Sequence, residues 1–305
     1  MRAVHPTGAT GAAEPAPGPG EAPVPAVAPA GPPAGPPAGP PKVRRRRVLW
    51  GLLLRDLTVL DKSLWEFLHN TVTQPLLLVF VFTYLFPLIG QGVGGGEAAG
   101  PRFASLLMAG LLAQAMAFQG VFWVAVPMAR ELDVTKELEA RVLAPASLRT
   151  VALEKILFGS LLSLFAALIV FPVAAFVPST PVYLSVDWRL LGTLVPLACL
   201  TSAALGLTFG SLVKPQSVPM IAGTLALPLA FGGAIFYTWA SLDPVPWLKY
   251  AVLVNPIVYM SEGIRAALIP GVEHMPLPAV YGALGAFAVV FAVAGIRGFR
   301  RRMLD

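Results

Sequence analysis

The chain has 305 residues, of which 56% are hydrophobic and only 12% charged, with a net charge of +6 and a mean hydropathy of +0.72. Soluble domains carry about one quarter charged residues, so this composition excludes an ordinary soluble protein and points to one that crosses a membrane several times. The basic residues flank apolar runs instead of forming a stripe through a polar domain, so the positive charge reads as membrane orientation and no nucleic-acid partner is expected.

Residues 1–43 are expected to be a disordered cytoplasmic tail, because the Pro, Ala and Gly that dominate them offer no apolar surface to bury. The cluster Arg44 to Arg47 then leads into Val48 to His69. On a helical wheel this stretch gathers Leu49, Leu53, Leu57, Leu60, Leu64, Phe67 and Leu68 opposite Arg55, Lys62 and Glu66. Asp61 interrupts the apolar arc and Asp56 lies at its edge. The pattern predicts a helix in the headgroup plane with Trp50 and Trp65 as anchors, or a cytosolic helix packed on the bundle.

Six hydrophobic spans follow, at about 71–88, 103–128, 151–177, 190–213, 217–240 and 277–296. The fold class expected is therefore an all-α integral membrane protein, its transmembrane domain covering residues 44–302. Counting Lys and Arg by side, with the amino-terminal flank taken as cytoplasmic, gives 18 on that side and 4 on the other. The positive-inside rule then places both termini in the cytoplasm.

The span interiors read as free of Asp, Glu, Lys, Arg and His, the residues that ion-coupled carriers use at bilayer depth. Gln114 and Gln119 in the second span suit either helix-to-helix hydrogen bonding or a substrate path. Gly206 with Gly210, and Gly282 with Ala286, have the spacing that lets helices approach closely. Cys199 stands alone in an apolar run, and His5, His69 and His274 have no ligand spacing, so neither a disulfide nor a metal site is expected. No phosphate-binding Gly-rich loop, zinc-protease or serine-nucleophile motif occurs, so no catalytic residue and no bound cofactor are expected.

Two segments carry the functional reading. Between spans two and three, Arg130 to Lys155 concentrates charge of both signs. Helical spacing stripes Val134, Leu138 and Val142 on one line and Asp133, Glu137 and Arg141 on another, and Pro145 ends the pattern. Such a helix can seat in a cleft of a cytosolic partner, or merely connect two spans. Before span six, Asn255 can cap a helix starting at Pro256, and Glu262 and Arg265 fall three apart on one face. This stretch is too short and too charged to span, and is expected to be re-entrant or to lie on the outer surface.

The succession Arg130-Glu131, Glu137-Leu138-Glu139, Leu143-Ala144-Pro145 and Lys155, with Asn255-Pro256 to Glu262 and Arg265 downstream, resembles the permease subunits of ABC-2 type exporters. Val134-Thr135-Lys136 departs from the Gly-Thr pair frequent there. The resemblance implies that Arg130, Glu131, Glu137, Leu138, Glu139, Arg141 and Pro145 belong to a coupling helix received by a separate ATPase, which binds the ATP and Mg. It further implies a homodimer or heterodimer of permeases in a bacterial inner membrane, with the substrate path between its halves. The resulting expectation is a permease exporting a lipophilic compound, drug or lipid-linked glycan. An ion-coupled carrier, a membrane-embedded lipid-modifying enzyme and a non-transport assembly protein are the alternatives.

Overall fold

The computed structural model describes residues 45–89, 99–133, 148–178, 184–269 and 271–304, and among them it is helical without strands. Helix α1 covers Arg45–Lys62. Helix α2 starts at Leu64 and runs to Val79, continuing through a wider π turn at Phe80–Leu85 and a last turn at Phe86–Leu88. Helices α3 (Ala99–Asp133), α4 (Leu148–Phe176) and α5 (Trp188–Leu212) follow. Then come the short α6 (Val218–Phe231), α7 (Pro246–Ala251) and α8 (Pro256–Leu268), and the long α9 (Leu277–Leu304).

The amphipathic stretch expected over Val48 to His69 is two helices, not one. Ser63 leaves helical geometry between them, with its amide on the Leu60 carbonyl at 2.9 Å. From there Phe67, Thr71, Pro75 and Val79 recur every four residues and are all buried, because α2 packs this stripe inward. Phe67 meets the Trp123 ring edge-on at 5.5 Å. Trp65, Glu66 and His69 therefore belong to a helix long and apolar enough to span. On α1, Leu53, Leu57 and Leu60 pack into the core, whereas Trp50 and Leu54 stay exposed.

Five helices among the described residues are long and apolar enough to cross a bilayer: Leu64–Leu85, Phe103–Glu131, Arg149–Phe176, Trp188–Leu212 and Leu277–Arg302. The segment expected to be span five does not form a spanning helix. Helix α6 has 14 residues, about 21 Å of rise against a hydrocarbon core of about 30 Å. It stops at Gly232-Gly233, and residues 232–239 turn back into the protein. Ala234 takes φ of 52° there, a left-handed conformation that a residue with a Cβ holds only when its surroundings impose it.

Helix α3 is the buried centre, packed against α4, α5 and α8. Glycines set the closest approaches: a Cβ on Gly206 would lie 2.7 Å from the Gly120 carbonyl oxygen, and one on Gly210 would lie 2.9 Å from the Ala125 Cα. Gly282, expected to pack likewise, has open space around it. Helix α9 is fastened to α5 by hydroxyls: Thr201 donates to the Leu284 carbonyl at 3.2 Å and Thr208 to that of Phe291 at 2.7 Å. Without water in the bilayer core, such bonds supply part of the adhesion that a hydrophobic effect between helices does not.

Candidate functional site

Helix α8 is not a surface helix. Every residue of it except Ala266 is buried, and it packs between α3, α5 and α9. Asn255 begins it: its Oδ1 accepts from the Ile257 amide at 3.0 Å, and Pro256 occupies the first helical position, where no amide is needed. At the other end the amides of Ser185 and Asp187 donate to the carbonyls of Leu268 and Ala267 at 2.9 and 2.8 Å. Two carbonyls that a helix terminus leaves open are thereby satisfied inside the protein.

The polar side chains of α8 hold the reversal after α6. Asn255 Nδ2 donates to the Leu229 carbonyl at 2.8 Å and Ser261 Oγ to that of Gly233 at 2.8 Å. Arg265 Nη2 donates to the carbonyls of Ala234 and Tyr237 at 2.9 and 3.2 Å, and Nη1 to Glu262 Oε1 at 2.5 Å. Glu262 in turn accepts from the amides of Trp239 (Oε1) and Met275 (Oε2), both at 2.8 Å. Both charged side chains are wholly buried. Backbone that is neither helix nor closed sheet is tolerated at membrane depth only when buried and hydrogen-bonded, and these side chains supply the bonds. The Asn255, Pro256, Glu262 and Arg265 positions thus meet in one clasp.

A second charged cluster lies at the opposite ends of the long helices. Lys155, on the second turn of α4, donates to Asp56 of α1 at 2.7 Å and to Glu131 near the end of α3 at 3.1 Å. Its side chain is only 4% exposed. Glu154 is buried beside it, within electrostatic reach of Asp56, Glu131 and Lys155. The apolar reading of span three is corrected here: the helix carries Glu154 and Lys155 near its start, and the Lys155 ammonium is paired with Asp56 and Glu131. Asp56, whose place at the edge of the α1 apolar arc is otherwise a flaw, is explained by this ion pair.

Of the residues expected to dock a partner, Arg130 is exposed at the end of α3 and Glu131 joins the Lys155 cluster. Glu137, Leu138, Glu139, Arg141 and Pro145 lie outside the described residues. The cluster nonetheless bounds that segment on both sides, since α3 enters it and α4 leaves it. Gln114 is buried with its carbonyl oxygen unpartnered among the described residues. Gln119 faces a groove between α2 and α3. No group of His, Cys, Asp and Glu among the described residues could hold a metal ion.

The model of the ABC-2 type transporter family matches residues 55–269, from α1 through α8. The chain belongs to that family. It is a transmembrane permease of ABC-type transport, not a catalytic domain. The matched region takes in both charged clusters. No curated protein matches the chain.

Proposed function

We propose that this permease is the membrane subunit of an exporter that moves a lipophilic compound, drug or lipid-linked glycan out of the cytoplasm. The ATP is hydrolysed by a separate ABC ATPase, which carries the nucleotide and Mg and docks on residues 130–145. The arginine-rich side is cytoplasmic, on the 18-to-4 distribution of Lys and Arg. Six crossings bring both termini to that side, the fifth being the short α6 with its re-entrant reversal and α8. Two permeases, identical or not, pair in a bacterial inner membrane around the path.

The observation that carries this reading is the Lys155 joint. An ATPase pressing on residues 134–147 would load α3 and α4 at the point where Lys155 also holds α1. A push there reaches three helices at once, as rigid-body rocking of a membrane half requires. An ion-coupled carrier is less favoured because the buried Glu154 and Lys155 sit at a helix end, and Glu262 and Arg265 are engaged with each other and with backbone groups of the reversal.

The test is copurification. The full-length chain coexpressed with candidate ABC ATPases from its own genome is expected to retain one of them, and the double reversal E137K/E139K is expected to lose it while still inserting. Transport into vesicles that collapses with an uncoupler at constant ATP would favour the carrier instead.

A further inference from the structure

Helix α2 carries a polar stripe that its role as a span does not explain. Glu66, Asn70, Thr73 and Gln74 follow one another at helical spacing beside the buried stripe that begins at Phe67. Polar side chains on a spanning helix turn away from lipid tails, toward protein, water or a ligand. Here they form one wall of a groove of about 850 Å³. The facing wall is α3, with Phe118, Phe122 and Trp123 toward the middle of the bundle and Arg130 at the mouth.

Three properties of this groove define what fits it. From Glu66 to Leu78 it follows α2 over 13 residues, about 18 Å of rise, close to one leaflet of a core about 30 Å thick. Along the α2 wall polarity falls with depth, from Glu66 and Asn70 at the arginine-rich end through Gln74 to Leu77 and Leu78; the α3 wall is apolar between Arg130 at the mouth and Gln119 at mid-depth. Its two ionised side chains, Glu66 and Arg130, have opposite signs and are both exposed, yet among the described residues they form an ion pair neither with each other nor with a third group.

We infer that this groove is a binding site for a zwitterionic amphiphile from the leaflet on the arginine-rich side. Its anionic group lies on Arg130, its ammonium on Glu66, and its apolar chain against Phe118, Phe122 and Leu78. Opposite charges held apart in one groove favour a head group that bears both, because a ligand with one charge satisfies one wall and faces an uncompensated repulsion from the other. Asn70, Thr73 and Gln74 add hydrogen-bonding capacity below the head. The inference rests on the permease reading and narrows its substrate from lipophilic compounds in general to this class.

The experiment is photolabelling of the full-length chain in neutral maltoside micelles, using lysophosphatidylethanolamine with a diazirine in its acyl chain. Labels are expected on the groove walls around Leu77, Leu78, Phe118 and Phe122. Unlabelled zwitterionic lysolipid is expected to compete at about three- to tenfold lower concentration than lysophosphatidylglycerol or an alkyltrimethylammonium of equal chain length. E66Q should remove the advantage over the anionic competitor, and R130Q the advantage over the cationic one. Both positions are exposed, and size-exclusion profiles verify that the variants stay folded.

Labels scattered around the perimeter of the bundle, or a competition order unchanged in both variants, would overturn the assignment. So would efficient disulfide crosslinking of Q74C chains to each other, since a second copy would then fill the groove. The assay contains no ATPase. If the ATPase copurifies but labels scatter, the groove assignment alone falls. If labels map as expected but no ATPase is retained, the error lies in the partner reading.

Discussion

Lys155 and Arg265 are both cations buried in an apolar bundle, with side chains 4% and 0% exposed, but they hold different things. Arg265 and Glu262 spend their hydrogen bonds on main chain: the carbonyls of Ala234 and Tyr237, and the amides of Trp239 and Met275. Lys155 touches only side chains, one from α1 and one from α3, and those partners remain 12% and 17% exposed. An ion pair that completes a backbone turn cannot open without orphaning buried peptide groups. A side-chain joint at the edge of the bundle can separate and reform as its helices move. The comparison assigns permanence to the first cluster and transmission to the second.

Breaking the clasp is therefore expected to give the largest loss of stability. Arg265→Ala strands Glu262 and two carbonyls in an apolar interior, where removing one partner of a buried pair costs about 3–5 kcal/mol. Thermal unfolding in detergent and the yield of monodisperse protein check this, and a variant as stable as the parent would dissolve the distinction. Glu262→Gln keeps one acceptor oxygen but offers an amide NH2 where an amide N–H now donates. It also leaves the buried Arg265 charge uncompensated, so a loss of similar size, about 3–5 kcal/mol, is expected.

Lys155→Met sharpens the contrast from the other side. Its partners reach water, so the thermal transition is expected to move less than in Arg265→Ala. ATP-driven transport should fall much further than ATPase binding, because the joint between α1, α3 and α4 is lost while the docking segment is kept. Transport rates in vesicles set against ATPase retention measure this, and a parallel loss of both would make Lys155 a purely structural residue. The smallest effect expected is Asn255→Ala, which removes a helix cap and one bond to the Leu229 carbonyl, for about 1–2 kcal/mol in the same unfolding assay.

How much of these clusters is legible in the sequence follows the range of the interactions. The Asn255 cap and the Glu262 to Arg265 pair are local, set by helical spacing, and the amino-acid pattern alone shows them. The backbone partners of Glu262 lie 23 residues upstream and 13 residues downstream, at Trp239 and Met275, and no periodicity announces them. The run 217–240 is apolar throughout, so its composition suggests a full span. The break comes from packing: a Cβ on Gly233 would lie 2.7 Å from Ile257 Cγ2, and one on Gly110 would lie 2.3 Å from the Ile235 carbonyl oxygen. Glycine at both places lets the reversal seat against α8 and α3.

The Lys155 joint is hidden for the same reason, since Asp56 lies 99 residues away. Its one trace in the sequence is Asp56 at the edge of the apolar arc of α1, and a charge outside a helix's expected polar face is worth pairing across the whole chain. The polar stripe of α2 escapes a helical wheel because the wheel runs Glu66 and His69 into the preceding amphipathic helix, and only the break at Ser63 moves them into the membrane.

The most direct test of the account is retention of a coexpressed ABC ATPase from the same genome by affinity-purified full-length chain, compared between the parent and E137K/E139K. The account predicts stoichiometric ATPase with the parent and little or none with the double reversal at equal permease yield. Equal ATPase from both would contradict docking through residues 130–145.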